Sequence, residues 1–86
     1  MSAAEELREL LEAVIDAIDL PRPVSMADEF AYRVTLDHRL SLAVIVARAA
    51  LDEKPDAYAW NAAYLRRKLD QHPVTYRAYE KPEAGR

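Results

Sequence analysis

Cysteine is absent from all 86 residues. That removes disulfides, zinc fingers, thiol catalysis and iron–sulfur clusters, and it fits a reducing compartment. Glycine is nearly absent as well. The single glycine, Gly85, lies at the far end of the sequence, so no glycine-rich loop can bring backbone amides against a phosphate. No apolar run reaches the roughly 20 residues that a bilayer-spanning helix requires, and no charged-then-apolar leader opens the sequence. There is no internal repeat and no low-complexity tract. These absences predict a cytoplasmic protein, not embedded in a membrane, with no cofactor and no bound metal.

The most informative part of what is present is Leu40 to Leu51, which carries no polar side chain between Leu42 and Ala47. On a helix, six successive residues sweep more than a full turn, so every direction around the axis is apolar there. Such a segment must be covered on all sides, by the rest of the chain or by another copy. One domain is the natural reading of this length, and a chain so short buries only about 60–65% of its unfolded surface.

The net charge of −3 hides a gradient: residues 1–21 sum to −5, residues 22–56 to −1 and residues 57–86 to +3. An acidic front and a basic back suggest that the two ends attract, within one chain or between chains. Overall acidity argues against nucleic acid as the main partner.

Three helices are predicted. The first spans about Ala3 to Asp19. Ser2 with Glu5 makes a capping box, and Leu7, Leu10, Leu11, Val14 and Ile18 recur at helical spacing with Ile15 on the flank. Leu20-Pro21-Arg22-Pro23 ends it. Ser25 is the next cap, with Asp28 and Glu29 in the first turn. The second helix spans Met26 to about Asp52, roughly 40 Å at 1.5 Å per residue. It has two apolar faces. Ala27, Phe30, Val34, Ser41 and Ile45 form one; Tyr32, Leu36, Leu40, Ala43, Ala47 and Ala50 form the other. Arg33 and Asp37 separate them on one side, Asp28, Thr35 and Arg39 on the other, until Leu42 and Val46 close one strip. A rival local reading is a hairpin, because Tyr32 to Leu36 alternates and Leu40 to Ala47 is rich in β-branched residues. The turn between them lacks glycine and asparagine, and the alanines favour helix. Asp52 to Asp56 reads as a loop, with Asp56 as a cap. The third helix runs from about Ala57 to Gln71 and stops at Pro73. Val74 to Tyr79 reads as an extended strap against the core, and residues 80–86 as a disordered tail.

Four sets of residues are candidate sites. Glu5, Glu9, Glu12, Asp16 and Asp19 fall within about 80° on the first helix, opposite its leucines. Such a row is a solvated face or a docking surface for a basic partner; it contains no histidine and no metal-ligand spacing. Leu42, Val46, Trp60 and Tyr64 are the candidate oligomer interface, since aromatics are enriched at interface centres. Arg66, Arg67 and Lys68 could contact phosphate, the second and third helices then forming a unit like a helix-turn-helix, although Asp52, Glu53 and Asp56 in the connection would repel a nucleic-acid backbone. Asp37, His38 and Ser41 could meet on the second helix. A serine in mid-helix has no free amides beside it to form an oxyanion hole, so no catalytic role is assigned. An ion pair from Asp37 to Arg33 or Arg48 is expected instead, and His72 before Pro73 reads as a helix C-terminal cap.

The stretches AIDLPRPVSMADEFAYR, LAVIVARAAL and AYLRRKLDQHPVTYRAY, covering most of residues 7–79, resemble small uncharacterised helical proteins of actinobacteria and their phages or mobile elements. In those proteins an A-x-Y-L-R-x-x-L segment followed by H-P and Y-R recurs at the end. The resemblance rests on packing motifs and implies an all-helical fold, with no activity or site residues to carry over. The expected architecture is an all-α domain over residues 1–79, three helices with a long central second helix. Helices one and three are too short to cover both faces of the second. The expected function is therefore that of a non-catalytic interaction module, an adaptor or regulator that is a homodimer or higher oligomer. A small DNA-binding regulator is the alternative.

Overall fold

The structure, a computed structural model, describes residues 2–52 and 57–79. It is all helical: α1 spans Ala3–Ile18, α2 spans Met26–Asp52 and α3 spans Tyr58–Gln71. α2 runs unbroken through Asp37 to Arg39, so the hairpin alternative does not form; alanine-rich helix propensity outweighs the local β-branched run. The expected cap at Asp56 and the expected tail both fall outside the described residues.

The helix ends follow from local chemistry. The Ser2 hydroxyl accepts the Glu5 amide at 3.2 Å, which satisfies one orphan donor of the first turn. Ser25 behaves otherwise than the sequence suggests. Its hydroxyl donates to the Asp28 carboxylate at 2.7 Å, while the Ser25 backbone carbonyl takes the Asp28 amide at 3.1 Å. α3 starts at Tyr58 without a side-chain cap and ends with the His72 amide on the Leu69 carbonyl. Pro73 then prevents continuation.

Seven residues form the core: Leu10, Ala13 and Ala17 from α1, Ala43 and Val46 from α2, Ala62 and Leu65 from α3. Four of the seven are alanines. Small side chains allow helix axes to approach at the short end of the usual 8–10 Å, and α1 and α3 make the most extensive pairing. The consequence for α1 is that its alanine side faces inward with Leu10. Leu7, Leu11, Ile15 and Ile18 remain a third to a half exposed.

After Pro73 the chain turns back as the expected strap. It pairs with the connection between α1 and α2 through one antiparallel bridge, Pro23 to Ala78. The Val24 amide donates to the Arg77 carbonyl at 3.2 Å and the Tyr79 amide to the Arg22 carbonyl at 2.9 Å. Pro23, which has no amide, sits between those two ladder bonds where none is needed. Tyr76 fastens the strap. It is buried, lies edge-on to Tyr32 with centroids 5.5 Å apart, and its hydroxyl donates to the Pro21 carbonyl at 2.7 Å. Tyr76→Phe keeps the ring and strands that carbonyl. We expect a loss of about 0.5–1.5 kcal/mol, read as a fall of several degrees in the melting temperature by circular dichroism. An unchanged melting temperature would mean that the ring contact alone docks the strap.

Asp28 supplies a second fastening. Its carboxylate takes the Arg77 amide at 3.3 Å and faces the Arg77 guanidinium at 3.3 Å. The Ser25 hydroxyl first, and Arg77 after it, hold the Asp28 pKa below the usual carboxylate range against the opposing pull of desolvation. A depressed folded-state pKa adds stability that is complete above the ordinary carboxylate pKa and disappears as pH falls through the folded value. Burial pushes the Tyr76 phenol up from its ordinary value; that contribution is complete below the ordinary tyrosine pKa and fades as pH rises through the raised one. The strap is therefore expected to loosen at both extremes. Hydrogen exchange at the Arg77 and Tyr79 amides checks this. Asp28→Asn should speed exchange at neutral pH and match the natural chain in strong acid; equal rates at neutral pH would remove Asp28 from the account.

Candidate functional site

α2 is covered on one half only. Arg39, Ala43 and Val46 face inward, whereas Phe30 (78% exposed), Val34 and Ile45 look outward. This corrects the interface expectation at Val46, which is 0% exposed within its own chain and so not free to meet a partner; Leu42 is partly buried against the core. α1 and α3 both pack on the side these residues occupy. Arg39, expected on a polar strip, is buried as well.

The outward apolar surface has a focus. Leu7, Leu11 and Val14 of α1 face Ala47 and Leu51 of α2 across an apolar cleft of about 310 Å³, with Tyr58 at its end. Leu51 is 85% exposed, and Ile15 and Val44 are exposed on the same two helices. Side chains of this kind scattered singly need no explanation, whereas the cleft gathers several of them from two helices.

Trp60 and Tyr64, one turn apart on α3, stack with centroids 5.5 Å apart and planes within 10°. Trp60 is largely exposed, and the Lys68 ammonium lies 5.7 Å from the Tyr64 ring centre. The acidic residues Glu5, Glu9, Glu12, Asp16 and Asp19 are all exposed, as an open face requires. Arg8 pairs with Glu12 along α1. Asp16 meets Arg66 of α3 at 2.7 Å in the same chain, so part of the attraction between the chain's ends is internal. Both partners are exposed, which makes the pair worth little to stability. The basic set is thereby divided: Arg66 faces a carboxylate and Lys68 faces a ring.

The catalytic possibility on α2 does not assemble. The Ser41 hydroxyl donates to the Asp37 backbone carbonyl at 3.2 Å, a common habit of serine in mid-helix. Arg33 pairs with Glu29 rather than Asp37; both acids are one turn away, and an acid on the N-terminal side of its cation is the better placed. His38 packs instead on His72, ring centres 4.5 Å apart at 62°. Beside them is a second cavity, of about 410 Å³. Val34, Thr35, His38 and Arg39 of α2 line one side. Gln71, His72, Pro73 and Thr75 line the other. Sequence reasoning missed this site because its two halves are more than 30 residues apart and join only when α3 ends beside the middle of α2.

Among the described residues, no group of histidine, aspartate and glutamate side chains is placed to hold a metal ion, and no helix is long and apolar enough to cross a membrane. No family model, curated protein or solved structure matches the chain.

Proposed function

We propose that this chain is a non-catalytic interaction module that works as a homo-oligomer, with the α1–α2 cleft seating the same two helices of a second copy. The observation that supports this is the cleft itself: the leucine ridge of α1 and the end of α2 bound an apolar cleft of about 310 Å³ whose Leu7, Leu11 and Leu51 stay exposed. A two-fold contact is self-complementary, so each copy offers a ridge, Leu11 and Ile15, and a cleft to receive it. Glu5 and Glu9 of the acidic row are exposed on α1 and are offered in this reading to a basic protein partner. Trp60 and Tyr64 are offered to the same assembly.

Light scattering on the full chain over a range of concentrations tests the reading. The mass should rise toward about twice the chain's 9.8 kDa, and a mass of one chain at high concentration defeats the proposal. Trp60 emission, followed across the same range, reports whether the α3 aromatics enter the contact: a blue shift places them inside it.

A further inference from the structure

We propose that the cavity between the middle of α2 and the end of α3 binds a small organic carboxylate, with Arg39 as its counter-charge. Arg39 is only 7% exposed. Its guanidinium carries five N–H donors and a charge that it does not shed. Among the described residues one nitrogen donates to the His72 carbonyl at 3.1 Å, and no carboxylate forms an ion pair with it. Its Nε–H is buried without a hydrogen-bond partner. The His72 carbonyl stands at the C-terminus of α3, where the helix dipole provides at most about half a negative charge. Asp37, the nearest acid in sequence, lies two residues away and so about 200° around the helix, and it is exposed.

A buried charge without a counter-charge is costly, and so is a buried donor without an acceptor. A carboxylate in the cavity supplies the missing counter-charge. A carboxylate presents two oxygens in the spacing of two guanidinium N–H groups and binds them side by side. The walls say what that carboxylate is attached to. Val34 and Pro73 are apolar, the paired imidazoles of His38 and His72 offer flat faces, and Thr35 and Thr75 add hydroxyls. The volume of about 410 Å³ falls within the range of ligand sites, which are mostly apolar with a few placed polar groups. A compact apolar or aromatic acid fits this description better than a bare phosphate, which would leave the apolar walls unused. The site lies about 12 Å along α2 from the association cleft, eight residues separating Arg39 from Ala47. The two readings therefore fail separately.

Titration of the full chain with sodium benzoate, followed by amide and imidazole proton resonances, tests the proposal. Saturable shifts are expected at His38, His72 and Thr75, with a rise in melting temperature of about 5 °C or more at tenfold excess over Kd. Benzamide, of the same shape but uncharged, should bind at least tenfold more weakly, and so should inorganic phosphate. Arg39→Met keeps most of the side-chain stem and removes the charge. It should melt no lower than the natural chain without ligand and lose benzoate affinity at least tenfold. Absence of saturable shifts, or equal affinity in R39M, overturns the site. Phosphate binding as tightly as benzoate, with the same shifts, overturns the carboxylate assignment. If R39M does not fold, the benzoate and benzamide comparison on the natural chain decides the question alone.

Discussion

Leu65→Ala is expected to cost about 2–5 kcal/mol, the largest stability loss available from a single truncation in this chain. Leu65, Leu10 and Val46 are the three largest side chains that are fully buried. Their core neighbours are mostly alanines, which have no length with which to fill a void. The cavity term is therefore paid nearly in full, because its cost depends on how far the surroundings collapse. The loss falls on a small domain, where total stability lies near the low end of about 5–15 kcal/mol. Urea denaturation should show L65A with a much lower midpoint, or no cooperative transition at all. Leu40→Ala is the matched control. It removes the same atoms from a position 39% exposed and should move the midpoint far less. Equal midpoints for the two variants would mean that the centre of the fold is elsewhere.

The same core shows which features the sequence makes legible. Helix ends are carried by local signals: Ser2 before Glu5, prolines at 21, 23 and 73, and a dipole-compatible first turn in α2. They place α1 and α3 to within a residue and α2 without error. The strap too is written locally, by the break at Pro73 and the tyrosines after it. Direction is not. α2 is apolar around its circumference from Leu42 to Ala47, so periodicity cannot say which side is covered, and Val46 falls inside rather than at an interface. α1 misleads in the opposite way. Its leucine ridge is the stronger apolar signal, yet close packing against α3 selects Ala13 and Ala17. The Arg39 cavity had no local signal, since a single arginine in an amphipathic stretch reads as solvated. Its burial follows from where α3 stops, which is a property of the fold.

Charge placed in the α1–α2 cleft gives the largest functional effect expected. Leu11→Glu with Leu51→Glu puts two carboxylates per protomer into a surface that association must dry, and a two-fold contact doubles them to four. Burying a polar or charged group without a partner costs at least about 1–3 kcal/mol even on mutational scales, and each 1.4 kcal/mol is tenfold in Kd. The double variant should therefore raise the dissociation constant at least 100-fold and scatter as a single chain where the natural protein scatters as two. The fold itself should be nearly indifferent. Both positions are exposed, 54% at Leu11 and 85% at Leu51, and exposed substitutions outside special features stay within about 0.5 kcal/mol. Circular dichroism should confirm an unchanged helix content. Phe30→Glu, near the other end of α2 and about 30 Å along its axis from Leu51, locates the contact. If F30E dissociates the oligomer and L11E/L51E does not, association uses the outer face of α2, and the cleft is left without the role assigned to it.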